Sequence, residues 1–377
     1  MNESMSYKLN DKLKLREQNG NLRSLKLYNT GIDFCSNDYR GWAKSGALDR
    51  IIASKLNSSN SSLSGSTGSR LISGNSQIAE NLERRIAQTH DAESALLFGN
   101  GYIANLGVIG AVCDRHTSIV MDEFCHASMI DAAHGTNHKS IYKFKHNDVD
   151  DLNKKLAHCE GDIIVLIESV YSMDGDEARI ESIVLTCRDH KASLIIDEAH
   201  AIGVLGENAL GLAQNQSWND VILARIYTYG KAMACHGAAV VGSKLLIDYL
   251  INFSRPFIYT TAPPKHQLLA IDGAYDLLQT DEESMVQLRN VIDHFQKMAR
   301  QKNIEGLIPS NSAIQVIIIS GNDRAVSCAQ QLVASGFMVK AILSPTVPEG
   351  LERIRICLHS LNNREEINLL LDQFKEF

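Results

Sequence analysis

Short apolar runs rich in β-branched residues recur through the middle of the chain, separated by longer amphipathic stretches. Residues 118–121, 162–167, 193–196, 221–226 and 237–241 make up this series and read as buried strands. Strands alternating with helical patterns predict βαβ units and an α/β fold on a mostly parallel sheet. From about residue 275 the texture changes. A long charged helix is expected over 281–302, followed by apolar runs at 314–319, 337–343 and 354–358, the order of a separate, smaller α+β domain. Residues 1–35 are polar and charged, and Leu9, Leu13 and Leu15 are too sparse for a strong apolar stripe, which suggests an N-terminal helix or arm lying on a larger body. The expected division is therefore an arm over 1–35, a large domain over 36–270 and an α+β domain over 271–377. Pro256, Pro263 and Pro264 suggest a crossing between domains near residue 260, and the Ser/Asn tract at 58–62 a loop.

Composition narrows the partners. A formal charge of -7 over 377 residues comes from interspersed charges with no basic block, so neither nucleic acid nor an anionic membrane surface is an expected partner. The eight cysteines lie far apart, with no CxxC pair and no His/Cys cluster at zinc spacing, so they read as reduced thiols and no metal site is expected. No apolar leader begins the chain and no window approaches the roughly 20 apolar residues of a membrane helix. A cytoplasmic location is the expectation.

Ligands of open α/β sheets sit beyond the carboxyl ends of the strands, so the polar residues that follow the apolar runs matter most. Two stand out. Lys231 closes Thr228-Tyr229-Gly230-Lys231 just past one run, and Asp197 opens Asp197-Glu198-Ala199-His200 at the end of another. An amine that forms an imine and a carboxylate that keeps a pyridine nitrogen protonated are the two protein groups a pyridoxal phosphate electron sink requires. Small neighbours around Lys231 favour partial desolvation and a lowered amine pKa; a solvated lysine, with Asp197 as a cap and His200 on the surface, is the plainer alternative. Gly99-Asn100-Gly101-Tyr102 is a glycine turn entering a helical pattern, suited to receive a phosphate on free backbone N–H groups. The glycine- and serine-rich loop at 65–75 could do the same, or be merely flexible. His126, after another strand, could stack on a flat ring or cap a helix. Ser172 and Asp174 again follow a strand and are equally explained by a turn. Arg355 alternates with apolar residues as on an edge strand, facing solvent or turned inward to clamp a carboxylate.

Taken in order, Ser36-Asn37-Asp38-Tyr39, the 65–75 loop, Gly101 to Asn105, His126-Ala127-Ser128, His146-Asn147-Asp148, Glu168 to Asp176, Asp197 to His200, Thr228 to Lys231, Ile258 to Thr261 and Pro345 to Pro348 resemble the α-oxoamine synthase family. Its members are pyridoxal-phosphate enzymes that condense an amino acid with an acyl thioester and release carbon dioxide. The resemblance implies a fold-type-I transferase with a seven-stranded type of sheet. It implies that Lys231 carries the imine, Asp197 pairs with the pyridine nitrogen, His126 stacks on the ring, and His200 and Ser172 meet the phenolic oxygen side. Thr228, Gly101 and Tyr102 would hold the phosphate, and Thr260 and Thr261 would reach the phosphate of a neighbouring subunit, making a homodimer with shared sites. Arg355 would grip the amino-acid carboxylate, Asn37 would lie near the substrate and Arg23 near the acyl chain.

Within the family, His146-Asn147-Asp148 and Pro345 to Gly350 are most similar to the biotin-biosynthesis branch, which joins L-alanine to a pimeloyl thioester on coenzyme A or a carrier protein. The serine-palmitoyl and 2-amino-3-ketobutyrate branches are alternatives, with an aminotransferase or lyase more distant. Arg40, where leucine is usual, and Met233-Ala234-Cys235, where glycines are usual, depart from the pattern.

Overall fold

The computed structural model describes residues 3–25, 30–57 and 65–374. Helix α1 (Glu3–Gln18) opens the chain, and the short β1 (Ile32–Asp33) follows. Helices α2 (Ala47–Asn57) and α3 (Gln77–Thr89) lead into the alternating region. There β2 (Ser94–Phe98), α4 (Gly101–Val112), β3 (Thr117–Asp122), α5 (Ala127–Gly135), β4 (Ser140–Phe144), α6 (Val149–Leu156), β5 (Asp162–Glu168), α7 (Ile180–Asp189), β6 (Ser193–Asp197), β7 (Ile222–Thr228) and β8 (Ala238–Gly242) succeed one another. These seven strands from β2 to β8 form one sheet in the order β2-β8-β7-β6-β5-β3-β4. Its neighbours pair parallel from β4 to β7, while β8 runs antiparallel to both β7 and β2.

The sheet is covered on both faces, which explains strands apolar at nearly every position. Along β3 the side chains alternate: Ile119 and Met121 pack with Val108 of α4 and Met129 of α5, whereas Val120 packs with Leu152 of α6 and Ile183 of α7 on the other face. Each such side chain, wholly removed from water, contributes about 1.5–3 kcal/mol of hydrophobic stabilisation. Polar residues at the carboxyl ends of the strands stop the runs and cap the next helices. Asn100 accepts from the Ile103 N–H at 3.0 Å to start α4, and His126 accepts from the Ser128 N–H at 3.2 Å to start α5. Asp122, Glu168, Asp197 and Thr228 thus line up along one edge of the sheet. The expected strands are all present. Two more, β2 and β4, complete the sheet.

Helices α8 (Lys244–Phe253), α9 (Arg255–Ile258) and α10 (Lys265–Thr280) follow, then the long α11 (Glu282–Gln301). The expected boundary at 270 falls inside α10, whose Leu268, Ile271, Tyr275 and Leu277 belong to the large-domain core with Trp42 and Ile86. The break lies at Asp281, which caps α11 by accepting from the Ser284 N–H. Pro256 opens α9 and Pro263 and Pro264 precede α10, so these prolines punctuate helix starts within the large domain rather than a crossing.

The smaller domain holds β9 (Leu307–Ile308), β10 (Ile314–Ile318), α12 (Asn322–Ala334), β11 (Phe337–Met338), β12 (Lys340–Ile342), β13 (Arg353–Cys357) and α13 (Arg364–Gln373). Four of its strands form an antiparallel sheet ordered β12-β13-β10-β9. Arg355 therefore sits on an inner strand, flanked by β12 and β10, and not on an edge. The domain is discontinuous: β1 pairs parallel with β11, Ile32 opposite Phe337, and Phe34 and Tyr39 join Phe295, Ile314, Ile354 and Leu371 in its core. Helix α1 is exposed along almost its whole length, Tyr7, Leu13 and Leu15 included, and does not lie on the body of its own chain.

Candidate active site

The edge formed by the strand ends faces the smaller domain, and Lys231 stands there. Its Nζ is 2.8 Å from Nε2 of His200. Nδ1 of His200 is 2.9 Å from the Tyr39 hydroxyl, which itself donates to Asn37 Oδ1 at 2.9 Å. Since that hydroxyl proton is committed to Asn37, Nδ1 carries the imidazole proton and Nε2 is left to accept from the lysine amine. Burial, then Lys231 and Arg355 close by, hold the His200 pKa well below its ordinary value, so the ring is neutral. Burial also pulls Lys231 down to about 8, against the opposing pull of Asp197 and Glu168. About a tenth of the amine is unprotonated at pH 7, against less than a thousandth for an ordinary lysine.

Asp197 is 5% exposed, and its carboxylate is held from two sides. Oδ1 accepts from the Ala199 N–H at 2.9 Å and Oδ2 from Asn105 Nδ2 at 2.7 Å. Asn105 also donates to Ser128 Oγ at 2.9 Å, and that hydroxyl is 2.7 Å from His126 Nδ1. Four residues from three elements are thereby locked in one chain. Burial lowers the His126 pKa despite the attraction of Asp197, leaving a neutral ring partly buried at the start of α5.

At the N-terminus of α4, a Cβ added to Gly101 would fall 2.0 Å from Thr228 Oγ1, so only glycine lets this helix close over the end of β7. That Thr228 hydroxyl is buried without a hydrogen-bond partner. An unpaired buried hydroxyl costs about 1–3 kcal/mol and marks a place where a ligand oxygen is wanted. Tyr102 lies at the rim, 41% exposed, its hydroxyl bonded to Asp131 and its ring edge-on to His126 at 6.4 Å.

From the smaller domain Arg355 reaches in, donating from Nε to the Ser172 carbonyl at 2.8 Å and from Nη2 to Asn37 Oδ1 at 3.2 Å. Ser172 is buried in the loop after β5. Thr260 and Thr261 are exposed on this chain, and Arg23 is exposed beyond α1 with no described hydrogen bond to the site. Residue types alone did not single out Asn105, Ser128, Tyr39 or Glu168. All four fall in the segments that carry the family resemblance, yet their roles depend on how α4, α5 and the segment after β1 are laid against the strand ends. Glu168 is paired in register with Asp197, is buried, and leaves Oε1 without a partner. Burial and the neighbouring Asp197 hold its pKa far above the ordinary carboxyl range.

Of the two departures, Arg40 is 2% exposed and ties the domains together. Its Nε donates to Ser284 Oγ at 2.7 Å, Nη1 donates to the Gly203 carbonyl at 3.2 Å, and its guanidinium stacks over Trp42. Ala234 takes φ +55°, a region that favours glycine, which accounts for the glycines usual there.

A lysine amine with a lowered pKa, a buried carboxylate, a neutral ring and a helix N-terminus beside an orphan hydroxyl together fit pyridoxal phosphate. The model for aminotransferase class I and II matches residues 29–374. The chain belongs to this family. Among curated members it is 38% identical to the 8-amino-7-oxononanoate synthase of Chromohalobacter salexigens, over 90% of this chain and 88% of that protein. The solved 8-amino-7-oxononanoate synthase of Francisella tularensis superposes with a TM-score of 0.78 at 25% identity, covering 92% of this chain and 97% of the other. The serine palmitoyltransferase of Sphingomonas wittichii shares the fold with a TM-score of 0.86 at 24% identity, covering 99% and 97%. These relatives bear out the α-oxoamine synthase resemblance and the fold-type-I architecture. The chain is a pyridoxal-phosphate C-acyltransferase of this family.

Proposed function

We propose that this family member condenses L-alanine with a pimeloyl thioester, on coenzyme A or a carrier protein, releasing carbon dioxide and forming 8-amino-7-oxononanoate for biotin biosynthesis. The observation that carries this reading is Lys231, just past the end of β7, and Asp197, at the end of the adjacent β6, in a chain 38% identical to a named 8-amino-7-oxononanoate synthase.

Bound pyridoxal phosphate supplies an electron sink for the negative charge left on the amino-acid α-carbon. Lys231, with an amine pKa near 8, would hold the cofactor, and its free amine would serve as the general base for the α-proton. Asp197 would supply the fixed negative charge for a protonated pyridine nitrogen, and His126 would cover the ring. Neutral His200 and Ser172 would lie on its phenolic oxygen side. Thr228, Gly101 and Tyr102 would hold the phosphate. Arg355 clamps the substrate carboxylate beside Asn37, and Arg23 lies toward the acyl chain.

Thr260 and Thr261, exposed on the single chain, reach the phosphate of a second copy, so that a homodimer shares its sites. No helix among the described residues is long and apolar enough to cross a membrane, and the eight cysteines are free, which supports a reducing cytoplasmic setting. The deciding experiment mixes purified protein with L-alanine and pimeloyl-CoA or pimeloyl carrier protein. Thiol release with a 7-oxo amine product is expected; release only with L-serine and palmitoyl-CoA, or none at all, overturns the assignment.

A further inference from the structure

The loop that follows β5 and carries Ser172 is held by side chains from both domains. On the large-domain side, His146 bridges two carboxylates, with Nδ1 3.0 Å from Asp122 Oδ1 and Nε2 2.9 Å from Asp176 Oδ2. Asp122 ends β3 and accepts from the Tyr171 hydroxyl at 2.9 Å, while Asn147 Nδ2 donates to the same Asp176 oxygen at 2.6 Å. The imidazole is wedged between rings, stacked on Phe124 and edge-on to Tyr171, each at 4.4 Å.

On the small-domain side, Ser310 Oγ donates to the Gly175 carbonyl at 2.8 Å, Arg353 pairs with Asp174, and Arg355 donates to the Ser172 carbonyl. Gly175 has φ +74°, and a Cβ there would stand 2.4 Å from the Ile314 carbonyl, so the loop lies flush against β10. A continuous path runs from His146 through Asp176 and the loop to Ser172 and Arg355. His146, Asp174 and Asp176 bring polar atoms within 4.8 Å of one another, but these atoms already engage each other, Asp122 or Arg353.

We propose that His146 is a positioning residue for the amino-acid carboxylate: by fixing Asp176 to the end of β3 it holds residues 169–177 where the Ser172 carbonyl aims Arg355. This rests on the amino-acid site proposed above, not on which amino acid or thioester is used. The ring satisfies both carboxylates only as a cation with two donors. Burial pulls its pKa down, but the bonds to Asp122 and Asp176 outweigh burial and raise it to about 9. Also facing it are Asp174 and Glu123, the latter accepting the His146 backbone N–H. The folded pKa lies above the ordinary 6.5, so the strut's stabilisation is fully present below that value and is lost as pH rises through about 9.

The test uses protein loaded with pyridoxal phosphate and no thioester. The amino-acid Kd is read from the cofactor's absorbance with L-alanine, L-serine or glycine, whichever binds the unsubstituted protein tightest. An error in the alanine assignment then leaves the readout intact. His146→Ala and Asp176→Asn should weaken amino-acid binding by about tenfold, with cofactor affinity changing by less than about threefold. The melting temperature lost in His146→Gln should be evident at about pH 6 and vanish by about pH 10. Should His146→Ala fail to fold, His146→Gln and Asp176→Asn carry the comparison. Amino-acid affinity within about twofold of the original in folded variants, or cofactor affinity falling as far as amino-acid affinity, overturns the proposal.

Discussion

The Lys231 amine lies 2.8 Å from the unprotonated nitrogen of His200, so the nucleophile points at a neutral acceptor instead of a carboxylate. A direct carboxylate partner would have raised the amine pKa; here burial dominates and lowers it to about 8.

Borohydride reduction after incubation with pyridoxal phosphate should therefore label Lys231, with the rate of imine formation rising through about pH 8. The folded pKa is below the ordinary 10.5, so the unfolded chain binds more protons between these values and the cofactor-free protein gains stability from this group as pH rises. Lys231→Met should remove both the label and that gain. Label on any other lysine would refute the assignment.

Thr228→Val separates folding from cofactor binding. The hydroxyl has no partner in the cofactor-free protein, so its replacement by a methyl group should leave melting unchanged or raise stability by about 1 kcal/mol. Pyridoxal phosphate affinity should nevertheless fall by about tenfold, a charge-assisted hydrogen bond being lost. Fluorescence titration and a thermal melt on one sample decide it, and a loss of stability would show that the hydroxyl has another role.

Asp197→Asn should reduce condensation by about 100-fold or more, because the amide carries no charge for the pyridine nitrogen. Asn105→Ala keeps the carboxylate but removes its donor, one hydrogen bond to a charged group worth about 1.5–3 kcal/mol, and should cost about tenfold in turnover. If Asn105→Ala turns over normally, the chain from Asp197 to His126 does not orient the site.

Mixing two inactive chains tests shared sites. In a mixed dimer of Lys231→Ala with Thr260→Ala/Thr261→Ala, one site joins an intact Lys231 to an intact threonine pair. Statistical exchange should restore roughly a quarter of the activity. Sedimentation showing a monomer, or mixing without recovery, would remove Thr260 and Thr261 from the site.

Five of the seven strands were legible because both faces of the sheet are buried, which forces nearly unbroken apolar runs such as Ile119-Val120-Met121; the equally buried β2 was missed because its short run, Ala95 to Phe98, follows α3 directly and carries no β-branched residue. The residues at their ends were legible for the complementary reason, since Asp197 and Lys231 break such runs with charge. Strand β4 was not, because Ser140 to Tyr142 are only partly buried and Lys143 is exposed, so polar residues are tolerated there. Arg355 looked like an edge residue because its strand alternates; it is an inner strand whose polar positions turn to the site. Roles that depend on two distant segments meeting, as with Tyr39 and His200 or Asn105 and Asp197, have no local pattern to betray them.

The pairing of Ile32 with Phe337 makes the second domain wait for the first and last parts of the chain. A ribosome-bound chain can complete β2 to β8 while β1 has no companion strand, so the Lys231 cradle is expected to exist before the arginine that closes it. Nascent chains long enough for α10 to have emerged, yet stalled before β11, should already capture the vitamin but discriminate poorly among amines.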